Sequence, residues 1–540
     1  MRNIIIPLFI VSETSFMIIH ISYIVKKSEL LWIGIFMAFI PIVLSISNNK
    51  HIIEKLIFIL LFTLLIRWIP AYYSYSWPFL PGFDTAYEGD TTNLLLNKGH
   101  WQPGMGNNPT TQGYSLYPIK YIFTSILIQV VDIDLILVSR WIMPAVTHII
   151  TMLFIYHIFK YLISKESAIW ATFFYGISPG YVTYNYQFTR EQIALIFLTM
   201  SLYIIAKWNT DKIKSSFLIF SMLAIVLPIT HHWTSYNFVW FLIVLYLFSY
   251  ISKWSGLKPS KSMIVITLIS LFLWNAYIAY VIFYLHIKLI QSIFIQSISP
   301  VAKSIEYMRG YAEIHRLLIY LGQAFILLFS SFGFLSLRKG NAKSSFIKML
   351  YILSIISLIM LTFVLPRLIG LGEEFASVER RNWTFNYIGI ALLAGQFFGN
   401  LSFMNNYIFN TQRFSLMIKK ILLISCLFPI ISSILLYYPP YWDFSSHDPN
   451  TMNLYKLSLY LSDKHFYYPI LTIQALRPLL EINGIVVMQI NEFSKLEEMN
   501  LSIEGVVVDR YIMSIRILQY LSATYNIIYD NGVNVLIINR

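Results

Sequence analysis

The chain reads as an all-α polytopic membrane protein with about thirteen transmembrane helices and a small extracytoplasmic α/β domain at its C-terminus. Three observations carry the membrane assignment and the terminal domain. Hydrophobic residues fill 57% of the 540 positions and charged ones only 12%, with a mean hydropathy of +0.64; an ordinary soluble chain carries about 25% charge. Apolar runs long enough to cross roughly 30 Å of hydrocarbon as helices recur along most of the chain. After Tyr438 they give way to apolar runs of strand length.

The apolar runs lie near residues 4–25, 30–47, 52–70, 137–160, 167–186, 191–207, 215–230, 233–252, 263–284, 316–337, 348–366, 383–400 and 418–437. With a cytoplasmic N-terminus, the inner connections hold Lys50, Lys160 and Lys165, Lys207, Lys212 and Lys214, and Lys253, Lys258 and Lys261. Arg338, Lys339, Lys343 and Lys348, and then Arg413, Lys419 and Lys420, continue the series. This positive-inside pattern is interrupted mainly by Lys26 and Lys27. The formal net charge of +13 therefore serves orientation: Lys and Arg occur singly between apolar runs, and no basic face for nucleic acid is present. An odd number of spans puts the C-terminus outside. The single cysteine, Cys426, excludes an intrachain disulfide and any cysteine-based metal site.

Four regions follow from this pass: residues 1–70, N-terminal transmembrane helices; 71–136, a first large outer loop; 137–438, the transmembrane bundle; and 439–540, the outer α/β domain. The basic, apolar N-terminus lacks a small-residue cleavage site and reads as a retained helix, within which Glu13 and His20 are expected to pack inward. Tyr117–Val131 is too short for a span, and counting it as one would put Lys160 and Lys165 outside, so it is assigned as an amphipathic helix on the outer surface. In the tail, IVVMQI (485–490), GVVVD (505–509), YNIIYD (525–530) and VNVLIIN (533–539) are candidate strands. The Asn531-Gly532 pair between the last two signals a hairpin.

The candidate chemistry gathers on the outer side. Pro70–Tyr117 is the only long polar interval of the first half, and it places Asp84, Glu88 and Asp90 among Tyr72, Tyr73, Trp77, Tyr87 and Trp101. Such carboxylates suit an acid/base or cation site facing a sugar-like ligand; a solvated loop is the alternative. Arg190 and Glu191 open a span, where a guanidinium can grip a lipid phosphate and a carboxylate can bind a metal or orient an acceptor. The alternative is an arginine reaching to head groups and an acid favoured by the helix dipole. His231 and His232 join two spans; adjacent histidines diverge on a helix, so they read as a hydrogen-bonding turn or as metal ligands completed by other loops. In GEEFASVERR (372–381), Arg380 and Arg381 can hold a phosphate and Glu379 a cation or substrate, or the stretch is an interfacial anchor. Tyr441-Trp442-Asp443-Phe444 opens the tail as an aromatic belt.

Phe83–Trp208 resembles the GT-C integral-membrane glycosyltransferases, above all those of the protein mannosyltransferase and aminoarabinose-transferase type. The likeness rests on Asp84 in GFDTAYEGD, Lys98-Gly99-His100-Trp101, Tyr117-Pro118, and Arg140 in SRWIMPAVTHIITMLFIYHIFKYLISKES. It continues through Tyr184-Asn185-Tyr186 and Arg190-Glu191. Thr85 stands where that family has Glu, the second site is Arg-Glu in place of an Asp pair, and two extra spans precede the loop. Ala376-Ser377-Val378-Glu379 is similar to the SVSE loop of the oligosaccharyltransferase catalytic subunit, and Tyr441-Trp442-Asp443 to its WWDYG element. The ending TYNIIYDNGVNVLIIN looks archaeal.

The resemblance implies a glycosyltransferase that takes a sugar from a polyprenyl-phosphate donor to a glycan, lipid or protein acceptor outside the cytoplasmic membrane. Asp84 is then the general base and Glu191 the second catalytic acid. Glu88, Asp90, Arg190, His231, His232, Glu379, Arg380 and Arg381 contact substrate. A divalent cation, Mg or Mn, would fall to Asp84, Glu191 and Glu379. A lipid-linked sugar flippase or solute transporter, or a polysaccharide polymerase or ligase, are the competing readings. A transporter is expected to carry a polar track through the membrane midplane, and the apolar runs show none.

Overall fold

The structure is a computed structural model. It describes residues 2–24, 28–46, 52–73, 83–106, 109–178, 181–182, 188–211, 214–284, 287, 313–337, 340–360, 373–401, 421–422 and 424–437, and five strands between 470 and 538. The helices are α1 (Arg2–Ile24), α2 (Ser28–Ile46), α3 (Ile52–Tyr73), α4 (Phe83–Lys98), α5 (Pro109–Ser115) and α6 (Ile119–Val131). They continue with α7 (Leu135–Leu162), α8 (Lys165–Gly176), α9 (Arg190–Asp211), α10 (Lys214–Thr230), α11 (His232–Ser252) and α12 (Lys261–Tyr277). The last are α13 (Glu313–Ser336), α14 (Ala342–Ile359), α15 (Glu373–Leu401) and α16 (Leu427–Tyr437).

Two units make up the chain. One comprises Met1–Ile69, Leu116–Lys120 and Ile142–Pro440; the other comprises Pro70–Ser115, Tyr121–Trp141 and Tyr441–Arg540.

The helices of the first unit are built for a surround of lipid. On α12, Val265, Leu268, Ile269 and Phe272 are exposed while Thr267 and Asn275 are buried, the reverse of a water-soluble helix. Buried hydroxyls turn back on their own helices: Thr172, Thr199 and Thr267 each donate to the carbonyl four residues earlier at 2.8 Å. Helices α7, α9, α11 and α14 are long and apolar enough to cross a bilayer, and shorter apolar helices of 10–17 residues accompany them. The protein is a membrane protein. Of the further expected spans, those near 4–25, 30–47, 215–230, 263–284 and 316–337 overlap those shorter apolar helices; 52–70 falls in α3, 383–400 falls in α15, 167–186 begins with the 12-residue α8, and 418–437 is described as an α-helix over Leu427–Tyr437.

Close helix approach depends on small side chains. Gly395 and Gly399, one turn apart on α15, face Ala171 and Ser167 on α8, and a Cβ at either glycine would meet the backbone of α8. This small-xxx-small pairing brings the helices together by van der Waals contact, since lipid removes the hydrophobic drive for association. Beside it lies an aromatic core in which Phe398 of α15 sits 4.7 Å from Trp170, 5.2 Å from Phe174 and 4.9 Å from Phe329 of α13. Phe39 of α2, Phe62 of α3 and Phe173 of α8 form a second cluster at 5.9–6.2 Å. At the start of α8, Ser164 caps the helix by accepting from Ser167 N at 3.2 Å, and Glu166 in the first turn pairs with buried Lys55 of α3 at 3.0 Å.

Glu13 and His20 do not point inward as expected: both are exposed on α1. Seven residues apart, these two share one exposed face of α1, whereas Ile19 packs against Gly34 of α2.

In the second unit, α4 and α5 pack with the 101–106 turn around Leu95, Met105 and Tyr121, with Trp101 and Tyr114 against them. The five strands, β1 (Ile470–Thr472), β2 (Val487–Gln489), β3 (Gly505–Asp509), β4 (Asn526–Asp530) and β5 (Asn534–Ile538), form one sheet in the order β2-β1-β3-β5-β4. β1 runs parallel to β2 and β3, whereas β5 is antiparallel to β3 and β4. The runs read at 485–490, 505–509, 525–530 and 533–539 each contain one of these strands; β1 lies outside those runs.

Candidate active site

The first acidic stretch is a helix, not a loop. Its length, Phe83–Lys98, puts positions 84 and 88 one turn apart and turns position 90 to another side. Glu88 and Asp90 are 2% and 4% exposed, so neither is a solvated loop acid. Thr92 Oγ1 donates to the Glu88 carbonyl at 2.8 Å, and Tyr87 lies 5.9 Å from Tyr114. Trp101 Nε1 donates to the Ser115 carbonyl at 2.8 Å, which ties the 101 turn to the end of α5. Position 84 is in the first turn of α4; the Asp84 side chain lies outside the described residues.

In the first unit, residues distant in sequence meet around Tyr117. Arg190 and Glu191 open α9 and are buried, so the guanidinium does not reach out to head groups. Its Cζ stands 5.2 Å from the Tyr117 ring, and the His232 ring lies 5.0 Å from the same ring. Tyr117 Oη donates to Asn275 Oδ1 at 3.4 Å, and burial drives its phenol pKa up while Arg190 opposes the shift. Lys120, fully buried, donates to the Phe188 carbonyl at 2.8 Å and packs on the Phe188 ring, which fixes the approach to Arg190.

The two histidines divide their work. His231 is the N-cap of α11: Nδ1 accepts from Thr234 N at 3.4 Å and lies 2.7 Å from Thr234 Oγ1. That is the geometry of a hydrogen-bonding turn. His232 instead faces Tyr117, with Tyr236 at 6.4 Å on its own helix.

A second buried polar set escaped the sequence reading. Arg67 of α3 is 1% exposed; Nη1 donates to the Thr63 carbonyl at 3.1 Å and Cζ sits 4.0 Å over the Tyr181 ring. His148 of α7 bridges two hydroxyls, with Thr63 Oγ1 3.0 Å from Nε2 and Tyr181 Oη 3.2 Å from Nδ1. The Tyr175 and Tyr181 rings are 4.8 Å apart, and Tyr175 is within electrostatic reach of both Arg67 and Glu191. The available signal was a lone Arg in LLIRWIP and a lone His in PAVTHIITM, since ionisable groups inside apolar runs mark a bundle interior.

Arg190, Glu191, His231 and His232 thus lie at the ends of α9 and α11, while Glu88 and Asp90 lie on α4. Glu379, Arg380 and Arg381 fall within α15, near its start, but their side chains lie outside the described residues, as do Tyr441–Phe444. Among the described residues no three metal-ligating side chains gather. Two of the three candidate cation ligands, Asp84 and Glu379, are not in that set.

No family model matches the sequence, and no curated protein does either. Solved structures do share its fold. Archaeal oligosaccharyltransferase AglB from Archaeoglobus fulgidus, in complex with an inhibitory peptide and a dolichol-phosphate, matches with a TM-score of 0.53 and 11% identity over 85% of this chain and 70% of that one. ArnT from Cupriavidus metallidurans, bound to undecaprenyl phosphate, matches with a TM-score of 0.53 and 11% identity over 90% of this chain and 98% of that one. The A. fulgidus oligosaccharyltransferase in complex with Zn and sulfate gives a TM-score of 0.50 at 12% identity, over 84% of this chain and 68% of that one. At such identities the likeness is one of architecture: the chain shares the fold of AglB and ArnT.

Proposed function

We propose that this chain is a membrane glycosyltransferase that moves a sugar from a polyprenyl-phosphate donor to a glycan, lipid or protein acceptor on the extracytoplasmic face. The observation that carries the reading is its fold, shared over 85–90% of the chain with two proteins that hold dolichol-phosphate or undecaprenyl phosphate. The buried convergence of Arg190, Tyr117 and His232 beside Glu191 adds a cationic, aromatic setting suited to a sugar phosphate.

In this reading Asp84 takes the proton from the acceptor as the acceptor atom bonds to the anomeric carbon. The bond from that carbon to the phosphate oxygen breaks, and the lipid phosphate departs with the electron pair. Arg190, Arg380 or Arg381 neutralise it. Glu88, Asp90, His231 and His232 contact the substrates. Glu191 and Glu379 orient them or, with Asp84, hold a divalent cation, a role for which the zinc-containing oligosaccharyltransferase is the supporting likeness. The wider topology belongs to the same proposal: thirteen spans, a cytoplasmic N-terminus, and a tail whose five-stranded sheet is the core of an outer α/β domain.

The test is glycan mass spectrometry of cells carrying wild-type protein, none, or Asp84→Asn. A product sugar lost in both the null and Asp84→Asn cells, with the variant present in the membrane at wild-type level, supports the reading. Full transfer by Asp84→Asn refutes the assignment of the base, and an unchanged glycan profile in the null refutes the reaction.

A further inference from the structure

A groove lies among α11, α14 and α15, lined by residues other than those assigned to transfer and beginning about one turn along α11 from His232. Its cavity volume is about 70 Å³, and about 560 Å³ when the open space at its mouth is counted. Trp240 and Phe241 of α11, Leu353 of α14 and Phe385 of α15 form its apolar walls, and Asn237 and Asn386 supply amides. Trp240 is 60% exposed, so the groove opens sideways from the bundle. Helices α11 and α14 are both of membrane-crossing length and apolarity, so this sideways direction leads into lipid.

Two features define what fits. Among the described residues the lining carries no charged side chain, so the part of a ligand seated against them is uncharged. Asn386 is 9% exposed, and its Nδ2 has no hydrogen-bond partner. An amide donor left open in hydrocarbon is costly, and bundle interiors ordinarily satisfy such groups. Of the neighbouring polar groups, Asn237 Nδ2 donates to the Trp233 carbonyl at 3.2 Å and Ser354 Oγ to the Leu350 carbonyl at 2.9 Å. The groove therefore presents one open donor on an apolar, aromatic wall that faces the bilayer.

We propose that this groove is a binding site for a bilayer phospholipid, whose uncharged linkage oxygen accepts from Asn386 Nδ2 while its chain lies against Leu353, Phe385 and Trp240. The head group stays at the membrane surface, outside the uncharged lining. The inference needs only a membrane-embedded protein and not the transfer reaction, so either fails without the other.

The test uses the full purified chain in nanodiscs of phosphatidylcholine that carries a diazirine on one acyl chain. Irradiation is followed by peptide mapping. Labelling enriched on residues 350–357 and 385–389, relative to the lipid-facing 265–273 stretch of α12, is the expected result. Asn386→Leu removes one hydrogen bond and should lower that enrichment about three- to tenfold. Leu353→Trp, which fills the groove and keeps the amide, should lower it as far. Monodisperse elution of both variants, together with unchanged labelling of α12, shows that each still folds. Labelling no denser than on α12, labelling indifferent to Asn386→Leu, or a groove labelled by a diazirine polyprenyl phosphate in preference to phosphatidylcholine would each overturn the proposal.

Discussion

Removing Glu166 should destabilise the fold through the partner it leaves behind. Lys55 of α3 has a side chain that is 0% exposed, and its ammonium lies 3.0 Å from Glu166, which is 20% exposed in the first turn of α8. Deleting one member of a buried pair costs about 3–5 kcal/mol, because the other charge stays buried without compensation. Water reaching the partly exposed carboxylate brings that down to about 2–3 kcal/mol, and losing an acid from a helix's first turn adds about 0.5 kcal/mol. Glu166→Ala should therefore cost about 3 kcal/mol. Lys55→Met exchanges the buried ammonium for an apolar chain of similar length and should be close to neutral. The double variant should recover most of the loss, since no charge remains to be stranded. Unfolding of detergent-solubilised protein across a dodecyl sulfate titration, for all four members of the cycle, measures the coupling. If the double variant is as unstable as Glu166→Ala alone, the buried ammonium is not the source of the cost and the reasoning fails.

Other outcomes follow from the same geometry. His148→Leu removes a hydrogen-bond partner from both Tyr181 and Thr63 at the buried end of the network and should cost about 2 kcal/mol in the same titration, with His148→Gln recovering part of it. Gly395→Leu drives a side chain into the backbone of α8 and should cost about 3 kcal/mol or leave the protein aggregated on size exclusion. Burial raises the Tyr117 pKa, so the phenol stays neutral in the folded chain where an unfolded tyrosine ionises; its contribution to stability is intact below pH about 10 and declines above it. Ultraviolet titration of the folded protein should accordingly show the same phenolate absorbance up to pH about 10.5 for wild type and Tyr117→Phe. Lys120→Met releases the Phe188 carbonyl that leads into Arg190 and should lower transfer about tenfold, chiefly in kcat, in a donor-consumption assay.

What was legible in the sequence is what a helix or strand shows one residue at a time. The run of apolar residues in His232–Ser252 determined a membrane helix because no other backbone arrangement satisfies its own polar groups in lipid. The Asn531-Gly532 signal anticipated the antiparallel partnership of β4 with β5 because turn chemistry is local. The outward preference of polar residues in loops misled the reading of Asp84, Glu88 and Asp90, whose stretch is a helix with Glu88 and Asp90 buried. Apolar residues do not recur at helical spacing in FDTAYEGDTTNLLLNK, so no stripe announces the helix, which is held by packing around Tyr87, Leu95 and Trp101.

By itself, then, the sequence determined the solvent of this protein, the type of its elements and the residue types available for chemistry, all consequences of composition and short-range periodicity. Only the tertiary structure decided that Arg190 and His232 meet on Tyr117, and that Arg67 and His148 share Tyr181 inside the bundle. Those meetings join helices separated by tens to more than a hundred residues. They are set by which faces pack, through contacts such as Gly395 and Gly399 against α8, and no local pattern encodes that choice.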